Sequence, residues 1–232
     1  MKVGIMQPYF FPYIGYWQLM NAVDKYVIYD DVNYIKGGWI NRNRILIDGQ
    51  PKMLNIKLNG ASSNKFINEV MVSRDSVFKK KLLKTISHSY KKAPLYEKVY
   101  PLIEKIILYE EEQLALYLQN TIEMIADYLE MNTQFILSSN IEKNNLLTGQ
   151  EKVIEICKIL EANEYYNAIG GKELYSKELF NENNISLKFL HTDLIEYNQF
   201  DNEFEPNLSV IDIMMFNSKD EINSMMNSYS LI

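Results

Sequence analysis

KVGIMQPYFFPYIGYWQLMNAVDKYVIYDDVNYIKGGWINRNRI, residues 2 to 45, decides the fold. Val3 to Met6 is an apolar run that breaks at once into Gln7-Pro8-Tyr9-Phe10-Phe11-Pro12-Tyr13-Ile14-Gly15-Tyr16. A helical segment follows, then a second apolar run, Tyr26 to Tyr29, closed by Asp30-Asp31. This pattern predicts a strand–loop–helix–strand unit. Open α/β sheets bind ligands where the carboxyl ends of strands give way to loops. The loop at Gln7 and the turn at Asp30 are therefore the first places to expect chemistry.

Outward from this unit, Asp48-Gly49 lies between Arg44–Ile47 and Met53–Leu58 and predicts a hairpin. Residues 73–131 turn helical. Ser73 is placed to cap a helix carrying Val77, Leu82, Leu83, Ile86 and Tyr90. Ala93-Pro94 breaks it. Helices are then expected over 96–109 and 111–129, the latter with Leu114, Leu118, Ile122, Ile125 and Leu129 at helical spacing. Strands return at 134–138, 165–169 and 186–190. Thr148-Gly149-Gln150-Glu151 reads as a capping box opening a helix to about Leu160. A short helix is expected over 172–181, and a final one capped by Ser209 with Asp212 three residues on. The expected class is α/β: a parallel-rich, Rossmann-like sheet with a helical insertion or subdomain in the middle of the chain. One domain is expected over 1–232, with sheet halves 1–58 and 134–192 around an insertion at 73–131.

A hydrophobic content of 47% and a charged content of 23% are ordinary for a globular chain with a real core. A net charge of -6 argues against nucleic acid as a partner. No apolar run approaches the roughly 20 residues of a membrane helix, and the amino terminus reads as a strand rather than a signal peptide. One cysteine, Cys157, excludes an internal disulfide and fits a reducing cytoplasm. Its apolar neighbours make it a core thiol.

The candidate site residues follow from their chemistry. Gln7, Pro8, Tyr9 and Tyr16 belong to a proline-stiffened loop that can hold an anion at a helix start. Asp30 and Asp31 are candidate bases, and His191, after a strand end, is a third. Lys36, Trp39, Asn41, Arg42 and Arg44 join three cations, an amide and an indole around Gly37-Gly38, which suits a phosphorylated or carboxylated ligand. Gly170 and Gly171 offer backbone donors, and Tyr175, Gln199 and Asn207 extend the substrate-binding set. No metal site is expected, since His88 and His191 lack companion ligands.

Tyr13-Ile14-Gly15-Tyr16 resembles the H-x-G-H segment of α/β nucleotidyl-transfer and ligase enzymes, with both histidines replaced, so that likeness bears on fold rather than reaction. Several pieces together resemble the WbqC-like family: Gly4 to Tyr16 with Gln7-Pro8, Pro12 and Gly15-Tyr16; Asp24 to Asp31; Asn41-Arg42-Asn43; Gly170-Gly171 with Tyr175; and Gln199, Asn207-Leu208-Ser209 and Asp212. Asn217-Ser218-Lys219 departs from the pattern by lacking a glycine. The resemblance implies a role in bacterial surface-polysaccharide clusters, including O-antigen. It implies no mechanism residue by residue.

The leading expectation is a cytoplasmic enzyme that transfers an acyl or aminoacyl group to a nucleotide-linked amino sugar, with an acyl donor as co-substrate. The alternatives are an ATP-dependent ligase or nucleotidyltransferase using magnesium, and a non-catalytic scaffold. The expected partner is a small molecule, a sugar nucleotide, and oligomerisation is left open.

Overall fold

A computed structural model describes residues 1–200 and 203–232. The opening unit is β1 (Lys2–Met6), α1 (Ile14–Asn21) and β2 (Lys25–Ile28). Two hairpins follow, β3 (Arg42–Ile47) with β4 (Gln50–Asn55), and β5 (Leu58–Asn59) with β6 (Met71–Val72). The helices α2 (Ser76–Tyr90), α3 (Tyr96–Leu108) and α4 (Leu114–Tyr128) complete the crossover to β7 (Gln134–Leu137). Then come α5 (Gly149–Ile159), β8 (Glu164–Ala168), α6 (Lys177–Glu182), β9 (Ser186–Thr192), α7 (Val210–Phe216), α8 (Lys219–Met226) and β10 (Tyr229–Leu231).

The central sheet runs β10-β9-β8-β1-β2-β7. All neighbours pair in parallel except β10, which runs antiparallel along β9. Numbered by chain order within this sheet, the strands read 6-5-4-1-2-3. This is the Rossmann order, as expected from the sequence, and it reverses direction between β1 and β8.

Side chains alternate across the sheet and separate two cores. Val3, Ile5, Val27, Tyr165, Leu187 and Phe189 face α5 and α6. Tyr26, Ile28, Leu137, Tyr166 and Leu190 face the other way, into the larger core with α1, α7 and the α2–α4 layer. Cys157 is fully buried in the smaller core, where desolvation pushes its thiol up to about 12. That is the inert thiol expected.

Local chemistry explains most boundaries. Asp48 and Gly49 both take positive φ, +53° and +71°, which makes the tight hairpin turn the Asp-Gly pair predicts. The cap of α2 is Asp75, whose side chain accepts from Phe78 N at 3.0 Å, rather than Ser73. Ser73 instead accepts from Asp75 N and supports the turn before the cap. Thr148 stands at the start of α5, but its side chain makes no capping bond. The segment expected as one helix over 172–181 splits into a 3₁₀ stretch at 169–174 and α6, which Ser176 caps through Leu179 N. Ser218 and Glu221 form a capping box for α8, so the turn lacking a glycine is made by side-chain hydrogen bonds. The sequence pattern did not predict α8 or β10.

Candidate functional site

The opening loop is held to two other stretches of chain, 40–44 and 207–212. Phe11 sits at φ +46°, and its carbonyl accepts from Asn43 Nδ2 and from Ser209 Oγ. Pro12 O accepts from Trp17 Nε1 and Val210 N, each at 3.0 Å, and Phe10 N donates to Ile40 O at 3.0 Å. Tyr16 donates its hydroxyl to Gln7 O. These bonds use Tyr16, Asn43 and Ser209 as joinery among residues 7–13, 40–44 and 207–212. Asn41 is joinery too: its amide accepts from Tyr34 OH at 2.8 Å and donates to Ile56 O at 3.1 Å. Gly15 is required by closeness, because a Cβ there would lie 2.8 Å from Thr192 Oγ1 and 2.6 Å from the Tyr13 ring.

The joinery presents a cationic, aromatic surface. Along β3, Asn43 and Ile45 turn inward while Arg42 and Arg44 are only half-buried. Tyr9 is ringed by Tyr16 at 5.4 Å, Trp39 at 6.1 Å and Tyr13 at 6.5 Å between ring centroids. The Arg42 guanidinium lies 5.7 Å from the centre of the Trp39 ring and also donates to Gly37 O. Trp39 remains 47% exposed. Arg44 pairs with Glu205 and donates to Pro206 O, both at 3.3 Å. The Nε atoms of Arg42 and Arg44 are buried without a hydrogen-bond partner. Burial raises the Tyr9 phenol above its ordinary pKa, and the two arginines act against that rise. Tyr9, Tyr16, Trp39, Arg42 and Arg44 therefore lie close together, with Tyr9 and Tyr16 themselves buried. Pro8 is buried and Gln7 half-buried at the end of β1, while Lys36 is exposed in the loop before Gly37.

The three candidate proton acceptors do not meet. Asp30 is fully buried, and its carboxylate accepts from Ser139 N at 2.9 Å, Ser139 Oγ at 2.6 Å and Asn68 Nδ2 at 3.3 Å. It ties the end of β2 to the turn after β7 and cannot reach a ligand. Asp31 Oδ2 takes two ammonium groups, Lys143 at 2.8 Å and Lys152 at 3.0 Å, with the three side chains 11%, 2% and 8% exposed. Burial works to raise the Asp31 carboxyl, but Lys143, Ser138 and Lys152 beside it outweigh that and hold it below the usual range. A carboxylate held so firmly ionised is a poor base. His191 is exposed on β9, paired with Ser230 of β10. Between β9 and β2 lie three interstrand spacings, about 14 Å. The three residues, alternatives for the base, thus stand in different surroundings, with three interstrand spacings between His191 and the strand that ends at Asp30 and Asp31.

Other expected residues divide similarly. Gly170 is exposed with open space around it, while Gly171 lies against the Asn167 side chain, and neither needs positive φ. Tyr175 packs edge-on against Tyr165 and Phe180. Gln199 is buried: its amide donates to Asp212 Oδ1 at 2.9 Å and Glu205 O at 3.0 Å and accepts from Glu205 N at 2.7 Å. It shapes the loop rather than facing a ligand. Asn207 is exposed at φ +56°.

The sequence reading missed Lys143 and Lys152. Lys143 stands in a loop and Lys152 in the first turn of α5, where nothing local separates them from surface lysines. It also missed that Asp212 accepts from the hydroxyls of Tyr90 and Tyr197, each at 2.7 Å. Among the described residues, no cluster of His, Cys, Asp or Glu could by itself hold a metal ion, and no helix is long and apolar enough to cross a membrane.

The sequence profile of the WbqC-like protein family matches residues 7–224. The chain belongs to the WbqC-like family. One relative is an uncharacterized protein of Mycobacterium tuberculosis (strain ATCC 25618 / H37Rv), Rv1507c, 27% identical over 218 residues that cover 92% of each chain. No solved structure matches. Among the residues that carry the WbqC-like pattern, Asn41, Asn43, Gln199, Ser209 and Asp212 build the loops, and Arg42 is half-exposed on them.

Proposed function

We propose that this WbqC-like protein is a cytoplasmic enzyme of surface-polysaccharide sugar biosynthesis, transferring an acyl or aminoacyl group to the amine of a nucleotide-linked amino sugar. The observation that carries the reading is the grouping of Tyr9 and Trp39 with Arg42 and Arg44, which follows the carboxyl end of β1, beside the reversal of strand order. A half-exposed indole suits the face of a base or sugar. Two half-buried guanidinium groups on one face of β3 suit a diphosphate. The donor is an activated acyl group such as a thioester. The neutral amine attacks the carbonyl carbon, the C–N bond forms, and the C–S bond breaks with its electron pair on sulfur. The proton lost by nitrogen ends on the thiolate, so no covalent enzyme intermediate is needed.

Binding only to the folded state raises the melting temperature by mass action. The test is thermal stabilisation of the pure protein by UDP- and dTDP-amino sugars, acyl thioesters and ATP, with and without magnesium. Sugar-nucleotide stabilisation that needs no metal and disappears in Arg42→Ala supports the transferase. Stabilisation by ATP only with magnesium transfers the reading to a ligase, and no shift with any ligand makes the protein a scaffold.

A further inference from the structure

A cavity of about 280 Å³ lies past the carboxyl end of β9, behind the loop that Arg44 grips. Its floor is apolar and fully buried: Ile14, Leu208 and Ile213. Its polar lining is carried by more exposed residues, Thr192, Asp193 and Asn207. Tyr197 also lines it, but its hydroxyl is spent on Asp212. Pro206 joins the two sites, since it lines the cavity while its carbonyl accepts from Arg44. Gly15 keeps the wall thin, because any side chain there would strike Thr192.

We infer that this cavity is the subsite for the transferred group, and that the group is a short, apolar acyl chain. The inference rests on the transferase reading and adds the donor class. An apolar floor under a rim where Thr192, Asp193 and Asn207 stand beside Leu194 accepts a hydrocarbon end and leaves the carbonyl at the mouth, on the side of the loop whose Pro206 carbonyl accepts from Arg44. A nucleobase would bury its polar edge against Ile14, Leu208 and Ile213 with no partner, which is costly. A cavity near 150 Å³ holds benzene, so 280 Å³ takes on the order of ten heavy atoms, a chain of roughly four to eight carbons.

The experiment is a titration of the full chain with acyl-pantetheine thioesters of increasing length, read by thermal stabilisation, with adenosine and uridine as competitors. Affinity should rise about tenfold or more from acetyl to hexanoyl, following the gain per buried methylene, then level off. Leu208→Phe should move the optimum to shorter chains. Leu194→Asp, at a rim position that is 87% exposed and tolerant of change, should weaken every chain longer than acetyl. A flat length profile, or displacement of the thioester by a nucleoside, overturns the inference. A length profile that persists when no sugar nucleotide binds leaves the subsite standing and removes the sugar-nucleotide reading.

Discussion

Asp31 and Asp212 are both withdrawn from water, yet their surroundings are opposite in kind. Asp31, after β2, is met by the charges of Lys143 and Lys152. Asp212, on α7, is met by two tyrosine hydroxyls and the Gln199 amide. Burial works to raise both carboxyls. At Asp31 the two lysines together with Ser138 reverse its effect, while at Asp212 the hydrogen bonds from Tyr197, Tyr90 and Gln199 reduce it without overcoming it. The first region is an ionic clamp among the ends of β2, β7 and the start of α5. The second is a neutral-donor network that fixes the loops beneath the candidate site. The lesson is that carboxylates in one protein take on different tasks through their partners alone.

The strongest way to break this contrast is Asp31→Ala. Removing one partner from a buried ion pair leaves the others as uncompensated charges, here two ammoniums, for a loss of about 3 kcal/mol. Urea unfolding measures it, and a loss below about 1 kcal/mol would mean that the lysines rehydrate freely and no clamp exists.

Tyr90→Phe probes the neutral network. It removes the bond to Asp212 and leaves Leu46 N, which donates to Tyr90 OH at 3.1 Å, without its partner. The expected loss is about 2 kcal/mol. Tyr197→Phe also removes a bond to Asp212, but the Gln199 Nε2 that donates to Tyr197 OH at 3.1 Å keeps Asp212 Oδ1 and Glu205 O as acceptors, so it should cost less in the same denaturation assay. Equal losses would show that Leu46 N finds another acceptor.

The smallest effect, and the sharpest in sign, is pH dependence. The Asp31 carboxyl is held below its ordinary value near ~3.9. Its contribution is complete above that value and disappears as pH falls through the folded pKa. The Asp212 carboxyl is raised, so its contribution is complete below ~3.9 and disappears as pH rises through its folded pKa. Relative to wild type, Asp31→Asn should therefore soften the acid loss, and Asp212→Asn should soften the loss on going from acid toward neutral pH. Denaturation profiles from pH 3 to pH 8 that bend the same way in both variants would abolish the distinction.

Legibility followed the range of the interactions. The Asp48-Gly49 turn and the Ser209 cap lie where the sequence puts them, because each is closed by residues at most three positions apart. β1, β2, β7, β8 and β9 were readable as apolar runs, and the cationic, aromatic run from Lys36 to Arg44 marked the surface that Tyr9 joins. β10 was not readable, since only its pairing with β9 orders so short a terminal segment. The roles of Asp30 and Asp31 were not readable either. Both looked like candidate bases until Asn68 arrived from within the second hairpin and Ser139, Lys143 and Lys152 from beyond it.

The amino-acid sequence by itself determined the strand and helix periods, the turn and cap chemistry, and the WbqC-like pattern, since these depend on neighbours in the chain. Tertiary structure alone decided which polar residues are spent inside the protein and which are left for a ligand. The physical reason is that a side chain's availability depends on the donors and charges that folding brings to it. Lys152 reaches Asp31 across 121 positions of chain, a distance over which no local pattern carries information.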